Sequence, residues 1–226
     1  MTASEAFEAS ATAVSRQLSR WEVGVDSAIH ACAIVAGFIG AVVLLLFAAA
    51  RGGVADLAVV SIYSVALLGM LGCSLAYNLG QSSRHRILLR NLDQAAIFLK
   101  IAGTYTPFTV LHLEGAWSIS VTGVVWSVAG FGILVRLLHG RLFDRISIAL
   151  YLALGWMALA ALSPLIRSLD GVTLSLLATG GVLYTVGVVF HLWERLPFQT
   201  AIWHLFVVAA ASTHYAAVVI SIVAGR

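Results

Sequence analysis

Residues 27–50 read SAIHACAIVAGFIGAVVLLLFAAA, 24 residues with no Asp, Glu, Lys or Arg and one histidine, His30. A helix rises about 1.5 Å per residue and a bilayer's hydrocarbon core is about 30 Å thick, so a run of this length and apolarity predicts a membrane crossing. Working outward, further apolar runs extend over Leu57 to Tyr77, Ala95 to Leu111, Ala116 to Val135, Ile146 to Ile166, Val172 to Trp193 and Ala201 to Ala224. Short polar connectors separate them: Arg51-Gly52-Gly53, then residues 81–90, 112–115, 139–145, 167–171 and 194–199. The sequence therefore predicts an all-α fold, an integral membrane bundle of seven transmembrane helices.

Composition agrees. Of 226 residues, 61% are hydrophobic and 10% charged, against about 25% charged in a soluble globular domain. Mean hydropathy is +0.98. Seven crossings with short connectors use nearly the whole chain. The domain reading is a short cytoplasmic segment over 1–21 and one membrane domain over 22–226. The pI is near 9.1, but the net charge is only +3 and the basic residues are scattered singly, which excludes a nucleic-acid surface and leaves membrane lipids as the expected partners. Cys32 and Cys73 fall inside apolar runs, where a small buried hydrophobe is the simpler reading. Glu5 and Glu8 precede the first run, which is longer than a cleavable h-region, so no cleaved signal peptide is expected.

Orientation follows from the arginines, because positively charged connectors stay in the cytoplasm. Arg16, Arg20, Arg84, Arg86, Arg90, Arg136, Arg141, Arg145 and Arg195 fall on the N-terminal side, and Arg51, Arg167 and Arg226 on the other. The N-terminus is expected in the cytoplasm and the C-terminus outside, in a bacterial plasma (inner) membrane.

Ionisable groups within a bilayer cost roughly 2.5–3.5 kcal/mol each on insertion scales, so those that remain mark a candidate site. Glu22, Asp26 and His30 recur every four residues and share one helix stripe, which suits either a functional polar ladder or capping with an interfacial hydrogen-bond network. Ser74 and Asn78 leave the second run, Asp93 enters the third, and Thr200 with His204 enters the seventh. Lys100 lies seven residues beyond Asp93, about 10 Å deeper by helical rise. It reads either as snorkelling toward the cytoplasm or as an offset to the Asp93 charge. His214, mid-span in the last run, suits an interhelical hydrogen bond better than a partnership with His204. His112, His139 and His191 lie near connector ends and read as interfacial.

At these positions the chain resembles the hemolysin III family, the bacterial branch of the progestin and adipoQ receptor superfamily. The resemblance rests on Glu22-x3-Asp26-x3-His30, Ser74-x3-Asn78, Leu92-Asp93, Ile101-Ala-Gly-Thr-Tyr-Thr-Pro-Phe108, Tyr151-Leu-Ala-Leu-Gly-Trp156, Gly180-Gly-Val-Leu-Tyr184 with Gly187, and Ala201-Ile-Trp-His-Leu-Phe-Val207 with His214. It implies a cytoplasmic-side zinc site made by the histidine of Ser-x3-His and the pair of His-x3-His, with an aspartate near the metal-bound water. Three imidazoles and a water suit hydrolysis, since the metal lowers the water's pKa toward about 7. On that pattern Asp93 and Ser74 are the candidate catalytic residues and His204 the surviving metal ligand. Asn78 and Thr200 stand where the other two histidines belong, and Gln94 where a further histidine is common. Amide and hydroxyl oxygens are weak donors beside imidazole, so zinc is possible but disfavoured.

The leading expectation is a noncatalytic hemolysin III-like protein affecting membrane permeability or homeostasis. The alternative is a ceramidase-like hydrolase of lipid amides, zinc-dependent or metal-free, using Asp93 and His204. A transporter relay through Asp26, His30, Asp93 and Lys100 comes third, and no inverted repeat supports it. Whether the chain is an enzyme stays open at this stage.

Overall fold

The computed structural model describes residues 19–51, 53–80, 83–140 and 146–223. Most of the expected 1–21 segment lies outside the described residues, as do Arg16, Arg141, Arg145 and Arg226. The elements are α1 (Arg20–Arg51), α2 (Val54–Leu79), α3 (Arg86–Leu111), α4 (Gly115–Leu138), α5 (Ser147–Gly155), a 3-10 segment (Trp156–Ala161), α6 (Leu162–Ser168), α7 (Gly171–Leu192) and α8 (Gln199–Val223). No strand occurs among the described residues.

Six stretches are long and apolar enough to cross a membrane: α1, α2, α4, the α5–α6 unit Ser147–Ser168, α7 and α8. The chain is thus a multi-pass membrane protein, with six such helices where the sequence suggests seven. The exception is α3, 26 residues long but carrying Arg86, Arg90, Asp93 and Lys100. Its neighbours explain the polarity. It packs chiefly against α2 and α4, with further contacts to α5 and α8, and buries Lys100, Thr104, Thr106 and Thr109. A helix enclosed by protein does not need a lipid-compatible surface. By contrast, α1 exposes Val35, Phe38, Ile39, Val42, Leu46 and Phe47.

Local chemistry sets the helix ends. At the start of α1, the Ser19 N–H donates to Glu22 Oε2 at 2.9 Å and the Glu22 N–H to Ser19 Oγ at 3.2 Å, a reciprocal capping box. The other Glu22 oxygen accepts the Phe198 N–H at 2.8 Å, tying the entry of α8 to α1. Phe198 has a left-handed backbone, φ 56°. Asp170 caps α7 by accepting the Val172 and Thr173 N–H groups, both at 2.9 Å. The Thr173 hydroxyl, then its backbone N–H, holds the Asp170 carboxyl below its ordinary range.

Small residues set the closest approaches. A Cβ on Gly103 would stand 2.4 Å from that of Ala66, between α3 and α2. One on Gly180 would stand 2.2 Å from His214 Nε2, between α7 and α8. Cys32 and Cys73 are both free thiols.

The fifth apolar run is not one continuous α-helix. Its 3-10 interruption leaves backbone groups unpaired, which water cannot satisfy at membrane depth. Tyr105 of α3 supplies the partner. Its hydroxyl accepts the Ala158 N–H at 2.8 Å and directs its own proton at the Gly155 and Leu154 carbonyls, 2.8 and 3.1 Å away. Tyr105→Phe should lower stability by roughly 1–3 kcal/mol, the cost of stranding buried polar groups. Thermal unfolding in detergent would show it as a lower midpoint. An unchanged midpoint would mean that the hydroxyl does not clip the break.

Candidate functional site

The site forms where α1, α2, α3 and α8 converge, and its hub is Asp26. The i, i+4, i+8 spacing puts Glu22, Asp26 and His30 on one face of α1, and all three are buried, at 4%, 3% and 3% exposure. Asp26 reaches two helices. Its Oδ1 accepts from His204 Nδ1 of α8 at 2.6 Å, and its Oδ2 accepts from Asn78 Nδ2 of α2 at 2.7 Å. A carboxylate offers only acceptors, so the proton in the first contact sits on His204 Nδ1. Neutral His204 then keeps an unprotonated Nε2.

His30 joins through both ring nitrogens. Its Nδ1 donates to the Asp26 main-chain carbonyl at 2.8 Å, and its Nε2 lies 2.9 Å from Ser74 Oγ. Asp93 faces the same space as Ser74. The His30 and His204 rings meet edge to face, their centroids 4.3 Å apart. Asp26, His30, Ser74, Asn78 and His204 thus form one connected network.

The positions implied for zinc do not fit that metal as they are arranged. Asn78 turns its amide N–H groups to Asp26, and more weakly to Ser27 Oγ at 3.5 Å. Thr200 Oγ1 lies 3.4 Å from Gln199 Oε1, its own neighbour. Of the three, only His204 offers an imidazole nitrogen, where zinc requires several nitrogen or sulfur donors at about 2.0–2.3 Å. Asp26, His30 and His204 do place three potential ligand atoms within 4.8 Å of one another, a grouping that could hold a metal ion. The side chains at two positions where the resemblance leads one to expect imidazole, Asn78 and Gln94, each leave a buried amide oxygen without a hydrogen-bond partner.

Below the network lies a cavity of about 440 Å³. Ser74, Asp93, His30 and His204 line its upper part, and Lys100, Tyr184 and His214 line it further in. Asp93 and His204 face this one space, but the histidine's carboxylate partner is Asp26. Lys100 does not offset Asp93 as the sequence suggested. Its Nζ donates to Thr104 Oγ1 at 2.6 Å, one turn further along α3 in the opposite direction, and sits 5.0 Å from the Tyr63 ring centroid. His214 Nε2 donates to the Leu177 carbonyl of α7 at 3.2 Å, the interhelical bond expected of it. Gln199 Nε2 donates to the His191 carbonyl, joining α8 to the end of α7.

The α1 stripe was legible in the sequence, but its meeting with His204 was not. Nothing in spacing alone shows that the first and last helices are neighbours. The clip made by Tyr105 was missed for the same reason.

A family model described as Haemolysin-III related matches residues 24–215. The Hemolysin-3 homolog of Bacillus subtilis is 34% identical over 186 residues, covering 82% of this chain and 87% of that protein. Hemolysin-3 of Bacillus cereus is 37% identical over 175 residues, 77% of this chain and 80% of that protein. The human monocyte to macrophage differentiation factor is 32% identical over 127 residues, 56% of this chain and 52% of its own length.

If Asp26 is the hub, Asp26→Ala and Asn78→Ala should be strongly non-additive. A double-mutant cycle on detergent-solubilised protein should give a coupling of about 1–3 kcal/mol. Additivity would mean that the 2.7 Å contact contributes nothing to stability.

Proposed function

The chain belongs to the haemolysin III-related family, and from that premise we propose that it is a noncatalytic member acting on membrane permeability or homeostasis. One observation carries the reading: Asn78, at a position implied for a zinc-binding imidazole, spends its amide N–H on Asp26 and leaves only an amide oxygen, a weak ligand beside imidazole. The framework of the bundle is kept and the water-activating metal set is not. The names of the two Bacillus relatives support a role at the membrane.

We place the protein in a bacterial inner membrane with α3 as a seventh crossing, the N-terminus in the cytoplasm and the C-terminus outside. The 26 residues of α3 span about 39 Å by helical rise, ample for a bilayer core. Among the described residues, Arg20, Arg84, Arg86, Arg90, Arg136 and Arg195 fall at the expected cytoplasmic ends, against Arg51 and Arg167 at the others. Trp21 and Trp193, both exposed, suit the interfacial belt on that side. Lipids are the partners this surface meets.

A second reading, metal-free hydrolysis of a lipid amide, draws on the His204 geometry. Asp26 holds Nδ1, and His204, Asp93 and Ser74 face one cavity, which resembles a base with its orienting carboxylate. Elemental analysis and amide hydrolysis of a fluorescent short-chain ceramide, on the same preparation, separate the two. The purified protein should hold well under one zinc per chain and show no turnover, while Asn78→His combined with Thr200→His should bind about one zinc. Stoichiometric zinc in the native protein, or turnover that His204→Ala abolishes, would overturn the noncatalytic reading.

A further inference from the structure

Several serine hydroxyls inside these helices turn back on their own backbone. Ser27 donates to the Val23 carbonyl at 2.8 Å, Ser61 to that of Leu57 at 2.7 Å and Ser212 to that of Val208 at 2.8 Å, the bond a helix interior offers such a side chain one turn back. Ser74 of α2 departs from that pattern. Its Oγ lies 2.9 Å from His30 Nε2, across the interface with α1.

The far side of the ring fixes the direction of that bond. A carbonyl only accepts, so His30 Nδ1 carries the proton in its 2.8 Å contact with the Asp26 main chain. Neutral His30 then presents a bare Nε2, and the Ser74 hydroxyl donates to it. A serine proton held by an imidazole whose other nitrogen is anchored is the arrangement of an activated nucleophile. The base takes the proton as the oxygen attacks, and the anchor sets the tautomer and the ring's orientation. Burial and the edge-to-face contact with His204 hold the ring there. Ser74 is also reachable, since it lines the interior cavity together with Gln94. The Gln94 side chain bonds to no described residue, which leaves its amide N–H for a carbonyl oxygen in that space, where negative charge develops during attack.

We propose that Ser74 is a covalent acyl acceptor with His30 as its general base, the donor being a carboxylic ester or thioester. Ser74 Oγ bonds to the carbonyl carbon as His30 Nε2 takes the hydroxyl proton. The bond from that carbon to the leaving oxygen or sulfur then breaks. The leaving group departs with the proton from His30, as an alcohol or thiol, and Ser74 is left as an ester. Nothing is oxidised or reduced. The step uses neither a metal nor His204, and it does not rest on the noncatalytic reading, because one transfer per chain without release is not turnover.

The test mixes p-nitrophenyl butyrate with the full-length protein in a nonionic detergent and follows nitrophenolate release together with intact and peptide masses. One nitrophenolate should appear per chain in a burst, with one butyryl group on the peptide that carries Ser74. Ser74→Ala should abolish the burst, and Ser74→Cys, which keeps a nucleophile beside His30, should restore it as a thioester. His30→Gln should slow acylation by at least about 100-fold, the low end of what a positioned base contributes. Monodispersity and helical content confirm that each variant is folded. No adduct, a butyryl group found only away from Ser74, or an unchanged acylation rate in His30→Gln would overturn the proposal. Sustained release after the burst, lost in Ser74→Ala, would support Ser74 as the acceptor while ending the noncatalytic reading, so the two fail separately.

Discussion

A carboxylate at 3% exposure inside a membrane bundle must have both oxygens occupied, because desolvation there is repaid only by good partners. Asp26 meets that demand by drawing one imidazole from α8 and one amide from α2 onto α1. The convergence of the first two helices with the last therefore has a specific electrostatic cause. It also fixes the chemistry nearby. His204 spends Nδ1 on Asp26, His30 is locked between the Asp26 carbonyl and Ser74, and Asn78 offers a metal only an amide oxygen, a weak ligand beside imidazole.

The same logic explains why α3 is the most polar helix and yet sits among its neighbours rather than against lipid. Its threonines bond to backbone carbonyls or to one another's helices: Thr106 Oγ1 donates to the Ala102 carbonyl and accepts the Trp126 indole N–H, and Thr109 accepts the Thr122 hydroxyl. Tyr105 on the same helix satisfies the interrupted α5–α6 span. Together these make α3 the internal hydrogen-bonding partner of three other segments, α4, α5 and the 3-10 segment, a role an all-apolar helix could not fill. The cavity lies between α3 and the helices it braces.

Much of this was legible beforehand. Apolar runs at bilayer length located all six helices long and apolar enough to cross, together with the more polar α3, and a four-residue spacing put Glu22, Asp26 and His30 on a single buried face. Asn78 and Thr200 stood out as poor replacements for imidazole before any geometry was known. What could not be read was adjacency across the bundle. Spacing along α1 says nothing about α8, so Asp26 was grouped with its own helix and Asp93 was assigned the partnership with His204. The two readings of Lys100, snorkelling or offsetting Asp93, stayed open for a related reason. Position along a helix gives depth, but only the rotamer shows that Nζ points to Thr104 rather than back toward Asp93. The 3-10 break has a local signal in Pro164, which has no N–H to donate to the preceding turn, but the group that satisfies the break, Tyr105, lies about 50 residues earlier.

The account turns on the Asp26–His204 contact, and nitrogen-15 NMR of the His204 ring in detergent micelles observes it directly. The account predicts a proton on Nδ1 held in a strong hydrogen bond, a signal lost in Asp26→Asn, and ring shifts that stay put when zinc is added at stoichiometric concentration. A His204 ring protonated only at Nε2, or one whose nitrogen shifts move to metal-bound values with zinc, would contradict it.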